Sequence, residues 1–156
     1  MGKKSKHGLD LINKISSELM KTKKVKIGIL GSKDSRPDGE SNASIGYRHE
    51  FGFGVPQRSF LRSTINRKEF DFRDTIQTNT EKIREQIAYE GIEPVLGKMG
   101  GWWVDAVLET FEMNGFGKWK ELARATIEAK SRAGKKGDAI LTDQGFLKRS
   151  ISFEVV

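Results

Sequence analysis

The 156-residue chain contains no cysteine and only two histidines, His7 and His49. The first absence excludes disulfide staples and thiolate metal sites and suits a reducing compartment. The second leaves metal ligation and acid–base chemistry short of their commonest side chain. No run approaches the roughly eighteen apolar residues of a membrane-spanning helix, and the mean hydropathy of −0.55 points the same way. Met1 to His7 is basic but leads into Gly8-Leu9-Asp10 instead of an apolar signal core, so neither export nor a membrane partner is expected. Internal repeats and low-complexity tracts are likewise missing.

What remains is one domain's length of chain with 36% hydrophobic residues, sufficient for a modest core. The formal net charge is +7, which favours anionic partners: nucleic acid, an acidic protein surface, or acidic neighbours in an assembly. The basic residues gather at Lys3, Lys4 and Lys6, at Lys21 to Lys26, and at Arg124, Lys130, Arg132, Lys135 and Lys136. Lys3, Lys4, Lys6, Lys135 and Lys136 are the candidate contacts to DNA or an acidic surface. No helix-turn-helix spacing, zinc pattern or interleaved aromatic strand accompanies them, so a basic nucleic-acid-binding accessory protein is the alternative reading of function.

The chain is organised around Ile45 to Arg62 (IGYRHEFGFGVPQRSFLR). Gly52 and Gly54 permit backbone angles closed to other residues, and Pro56 holds Val55 extended. This predicts a compact corner built from His49, Glu50, Phe51, Gly52, Gly54, Pro56 and Phe60, with Phe51, Phe53, Phe60 and Leu61 in the core and a helix starting near Ser59. Arg48, Arg58 and Arg62 would bridge the corner or a subunit interface.

Elsewhere, Leu9, Ile12, Ile15, Leu19 and Met20 predict an amphipathic helix over 9–22. Val25 to Leu30 alternates as a strand, and Gly31 to Asn42, with Pro37-Asp38-Gly39, reads as an exposed loop. A long helical region runs from Ser59 to Glu90, with a break around Asn66 to Asp71. Gly91, Pro94, Gly97, Gly100 and Gly101 then suggest a hinge loop over 91–101. Helices follow over Trp102–Met113 and Trp119–Arg132, and Ser150 to Val156 alternates as a closing strand whose mate is Val25–Leu30, within the subunit or across an interface. The fold class is therefore α+β: a basic, flexible segment over 1–8, then a single domain over 9–156. In it a small antiparallel sheet, with strands near 25–30 and 150–156, packs with three to four helices.

Catalytic constellations are sparse. His49 beside Glu50 resembles a base oriented by a carboxylate, yet no nucleophile or second metal ligand stands at a recognisable spacing. No catalytic, cofactor-binding or metal residue is assigned, and His49 is expected to cap or hydrogen-bond the corner backbone. Gly97-Lys98-Met99-Gly100-Gly101 departs from a phosphate loop in spacing and ending. Trp102 and Trp103 point to different helix faces. Either one packs inside while the other meets a partner subunit, or both are half-buried.

Four motifs occur in order: Tyr47-x-His49-Glu50-Phe51-Gly52, Pro56-x-Arg58-x-Phe60-Leu61-Arg62, Trp119-x-x-Leu122-x-x-x-Thr126, and Leu141-x-Asp143-x-Gly145-x-Leu147-x-x-Ser150-Ile151. Together they resemble the phage virion morphogenesis family, the tail-completion and neck proteins of long-tailed phages, over residues 45–154. Trp119-Lys120-Glu121-Leu122 departs from the prolines common around the family's tryptophan. The resemblance implies a non-enzymatic virion protein without cofactors, assembled in the bacterial cytoplasm as a homo-oligomeric, hexameric ring. Such a ring sits at the head–tail joint and contacts the tail terminator, the tube or the head-closure protein, with non-specific contact to genomic DNA open. Candidate interface residues on that reading are Arg48, Arg58, Arg62, Trp102, Trp103, Trp119, Asp143 and Phe153.

Overall fold

The computed structural model describes residues 2–31, 34, 36, 39–134, 140–141 and 145–156, with side chains from Gly8 onward. Among these it holds seven helices and two strands. Their order is α1 (Gly2–Leu19), β1 (Val25–Ile29), α2 (Asn42–Phe51), α3 (Arg62–Thr78), α4 (Thr80–Glu90), α5 (Ile92–Glu112), α6 (Arg124–Arg132), α7 (Phe146–Ser150) and β2 (Ile151–Val155). The α+β class and the small antiparallel sheet are as expected. Helices outnumber expectation because the corner and the closing segment each contribute a short one. The helix predicted over 9–22 begins already at Gly2 and ends at Leu19.

The two strands pair within the chain, antiparallel, in the register Val25↔Val155, Ile27↔Phe153 and Ile29↔Ile151. Apolar side chains thus share one face, while Lys26 and Glu154 meet on the other as an exposed ion pair at 3.2 Å. A two-stranded sheet is marginal unless something covers a face. Here α5 does so: the Phe153 ring lies directly over Gly100 of α5, so closely that a β-carbon there would come within 2.3 Å of it.

That packing corrects the expected hinge over 91–101. Residues 92–112 form one 21-residue helix. Pro94 falls in its first turn, where a missing N–H costs nothing. Gly100 serves close approach to the strand and gives no bend. The start of α5 is capped from afar, because the Glu18 carboxylate of α1 accepts from the Ile92 N–H at 3.1 Å. Lys23 pairs with Glu93 at 2.8 Å alongside it.

The predicted break at Asn66–Asp71 lies instead at Asn79, between α3 and α4, where the Asn79 amide turns back to the Thr75 carbonyl at 2.8 Å. The predicted helix from Trp119 starts only at Arg124. Trp119 follows a turn in which Gly115 adopts φ +66°, and a β-carbon at Gly115 would lie 2.2 Å from the indole. The core gathers Phe60, Val107, Phe111, Trp119, Ile140, Leu147 and Ile151, with the partly buried Ile29 and Ile45 packed against it. Thr64 and Thr110, fully buried, share a hydroxyl–hydroxyl bond of 2.6 Å between α3 and α5.

Candidate functional site

The Ile45–Arg62 corner is half helix. Its first part belongs to α2, whose N-terminus is capped by Ser41, accepting from the Ser44 N–H at 3.1 Å, and by the Asp34 carboxylate, accepting from the Ala43 N–H at 2.6 Å. Gly52 ends α2 in the left-handed conformation at φ +79°, with its N–H on the Arg48 carbonyl at 2.8 Å. Residues 52–61 then loop back, and α3 begins at Arg62, later than Ser59. A mixed composition concealed α2, since three glycines and a proline weigh against a helix over the stretch as a whole.

Glu50 holds the corner shut. Its side chain, only 5% exposed, faces the start of α3, where Leu61 provides no side-chain cap of its own. One carboxylate oxygen accepts from the N–H groups of Phe60 (2.8 Å) and Leu61 (3.0 Å). The other accepts from the Ser59 hydroxyl (2.7 Å), the Arg62 N–H (3.1 Å) and the Arg62 guanidinium (3.0 Å). A negative charge there also suits the positive end of α3. Burial alone raises the carboxyl pKa, but the donors from Leu61, Ser59, Arg62 and Phe60 together hold it below its ordinary value.

With both oxygens engaged in this way, Glu50 does not orient His49, and the two form no hydrogen-bonded dyad. His49 contributes to the corner through its backbone carbonyl, which accepts from the Arg58 N–H at 2.8 Å. Its Nδ1 is buried without a hydrogen-bond partner, so the expected side-chain capping role falls to Glu50. Burial lowers the imidazole pKa, and the positive charges of Arg58 and Arg48 lower it further.

The three arginines separate by environment. Arg58, 6% exposed, is an internal strut whose guanidinium donates to the Lys120 carbonyl at 3.1 and 3.3 Å, so it is not available to an interface. Arg62 spans the corner, donating also to the Glu50 carbonyl at 2.7 Å and covering the Phe51 ring at 4.5 Å from its centroid. Arg48 is exposed and pairs with Glu40 at 3.0 Å.

The aromatics separate too. Phe60 is core, and Leu61 packs against it partly buried. Phe51 and Phe53, expected in the core, are 46% and 54% exposed. They stand outside because α2 places Phe51 beside Tyr47, itself 57% exposed, and the chain just past the Gly52 cap lays Phe53 against Tyr47. The Tyr47 and Phe53 rings stack at 5.3 Å and 12°, and Tyr47 touches Phe51 at 4.8 Å. The result is an aromatic knob. The Tyr47/Phe51 spacing of four on a helix carries the signal for it, which the glycines around it obscured.

Of the remaining candidates, Trp119 is not an interface residue: it is buried against Phe111 at 5.6 Å and donates its indole N–H to the Ser59 carbonyl at 3.0 Å. Trp102 and Trp103 are both partly buried and both contact Phe72, at 5.0 and 5.1 Å. Beside them α3, α4 and α5 frame a groove of about 350 Å³ lined by Phe72, Ile76, Ile83, Met99 and Trp102. Phe153, seated on Gly100, keeps about a third of its surface exposed. Asp143, Lys135 and Lys136 lie outside the described residues, as do the side chains of Lys3, Lys4 and Lys6. Among the described residues no cluster of three acidic, histidine or cysteine side chains could hold a metal ion, and no helix is long and apolar enough to cross a membrane.

No family model matches the chain, and no curated protein or solved structure is significantly similar to it.

Proposed function

We propose that this chain is a structural virion protein of a long-tailed phage, forming an oligomeric ring at the head-proximal end of the tail and completing the tail or joining it to the head. The observation that carries the reading is how residues of the four ordered motifs meet. Glu50 of the first binds the backbone of Phe60, Leu61 and Arg62 of the second. The indole of Trp119 packs with Phe111, whose ring meets that of Phe60 at a tilt of 41°, and Leu147 and Ile151 complete the same core. Residues spread over a hundred positions thus act together as scaffold, setting a rigid corner whose outer side carries exposed aromatic rings. Such a division, a braced interior and an apolar exterior patch, suits a protein that works by assembly.

The test is electron microscopy of lysates from a phage or prophage deleted for this gene. Filled heads lying apart from finished tails are expected. Normal, joined and infectious virions would remove the protein from the joint.

A further inference from the structure

Two unpartnered apolar features of opposite shape lie toward opposite ends of α3. At its N-terminal end Arg62 touches the knob of Tyr47, Phe51 and Phe53. Toward its C-terminal end Phe72 and Ile76 line the groove shared with α4 and α5. From Arg62 to Ile76 the helix rises about 20 Å, so the two features do not meet within one molecule. The knob's local charges are already matched, Arg48 by Glu40 and Arg62 by Glu50. What stays open is about half the surface of Tyr47 and Phe53, since Arg62 already covers the Phe51 ring. The groove offers the complement: an apolar floor rimmed by the exposed Lys82 and Lys98, of which Lys98 donates to the Gln86 side-chain oxygen at 2.8 Å and neither pairs with a carboxylate among the described residues. Lysine ammonium groups beside an apolar slot suit the insertion of aromatic rings.

We propose that the knob of one copy seats in the groove of the next, joining copies head to tail. This deepens the assembly reading above and rests on it for self-association, adding which surfaces meet. A heterologous contact of this kind closes into a ring or runs on as a filament, since every copy keeps one free knob and one free groove. About half of each ring is already covered, which leaves roughly 300 Å² on the three for the partner. That is the central anchor of an interface of ordinary size, with flanking polar surface supplying the rest.

The experiment is sedimentation of the full chain, wild type and two variants, with far-UV circular dichroism to check folding. Tyr47→Ser with Phe53→Ser removes the knob, and Lys82→Glu with Lys98→Glu sets carboxylates against it; all four positions are exposed. Wild type is expected to associate with rising concentration, and each variant alone to lose association by roughly 30-fold or more, the scale of an aromatic hot spot. An equimolar mixture of the variants should give a dimer, because it restores one intact knob and one intact groove. Phe53→Ser alone replaces the double change if that variant misfolds. A wild type that stays monomeric at about 100 µM, well above the range where ordinary interfaces associate, overturns the contact. So does either folded variant that associates like wild type, or a mixture that stays monomeric. None of these outcomes touches the head–tail test, where deletion can still separate heads from tails.

Discussion

At the scale of single residues, Glu50 bears the most structure per side chain. Five donors converge on a carboxylate shut away from water, and three are backbone N–H groups at the start of α3 that have no other cap. Replacing it by glutamine turns an acceptor into a donor facing donors. Glu50→Gln is expected to cost about 2–4 kcal/mol, the scale for breaking a buried charged network, read from the urea midpoint at pH 7. The pH response has two windows. The His49 pKa is lowered from an ordinary 6.5, so below about that pH the unfolded chain takes up a proton that the folded one refuses, and stability falls. The Glu50 carboxyl is lowered from an ordinary 4.5. Its contribution is whole above that value and is lost as pH drops through the folded value, together with those of Glu18 and Glu93, which are lowered by their lysine partners and, for Glu18, the Ile92 N–H. Urea midpoints measured from pH 7.5 to 4 should decline in both windows, and His49→Gln should flatten the first.

At the scale of elements, the glycines of α5 distinguish a hinge from a helix. In a hinge, any alanine would stiffen a flexible point. In the helix the three positions differ: a β-carbon at Gly100 strikes the Phe153 ring, whereas at Gly97 and Gly101 it meets nothing within 4 Å. Gly101→Ala should therefore stabilise by up to about 1 kcal/mol, the helical preference of alanine over glycine. Gly100→Ala should destabilise by about 1–3 kcal/mol as β2 is pushed off α5. Thermal unfolding of the two variants checks the pair, and equal effects at both positions would contradict the packing. The element scale is also where sequence reading succeeded unevenly. Strict alternation located both strands within a residue or so, because side-chain period reports a strand directly. Helix boundaries drifted wherever the cap came from elsewhere in the chain: Glu18 starts α5 and Glu50 starts α3, and neither stands near the helix it caps.

At the scale of the whole molecule, the first strand pairs with the last, and Ile151 sits in the same core as Phe60. The two strands are therefore held by each other and by α5, and the core draws on both halves of the chain. Removing residues 151–156 strips one of the two strands found among the described residues, together with a core side chain. The shortened chain is expected to lose its cooperative thermal transition by circular dichroism, with β1 left exposing an unpaired edge. A sharp transition near the wild-type temperature would show that the helices fold without the sheet.

Composition and local pattern alone determined the α+β class, the antiparallel strand pair, the freedom from disulfides and the importance of the corner, since each depends on residues close in sequence or on counts. Burial was different. Phe51, Phe53 and Phe60 are the same residue type within ten positions, yet Phe60 fills the core while the other two form the knob. Trp119 is a core pillar, and Gly100 is a contact where the sequence suggested a hinge. Only the tertiary structure could decide these, because what covers a side chain arrives from distant segments: Trp119 and Ile151 onto the core around Phe60, and Phe153 onto Gly100, while Phe53 meets its neighbour Tyr47 and stays half exposed.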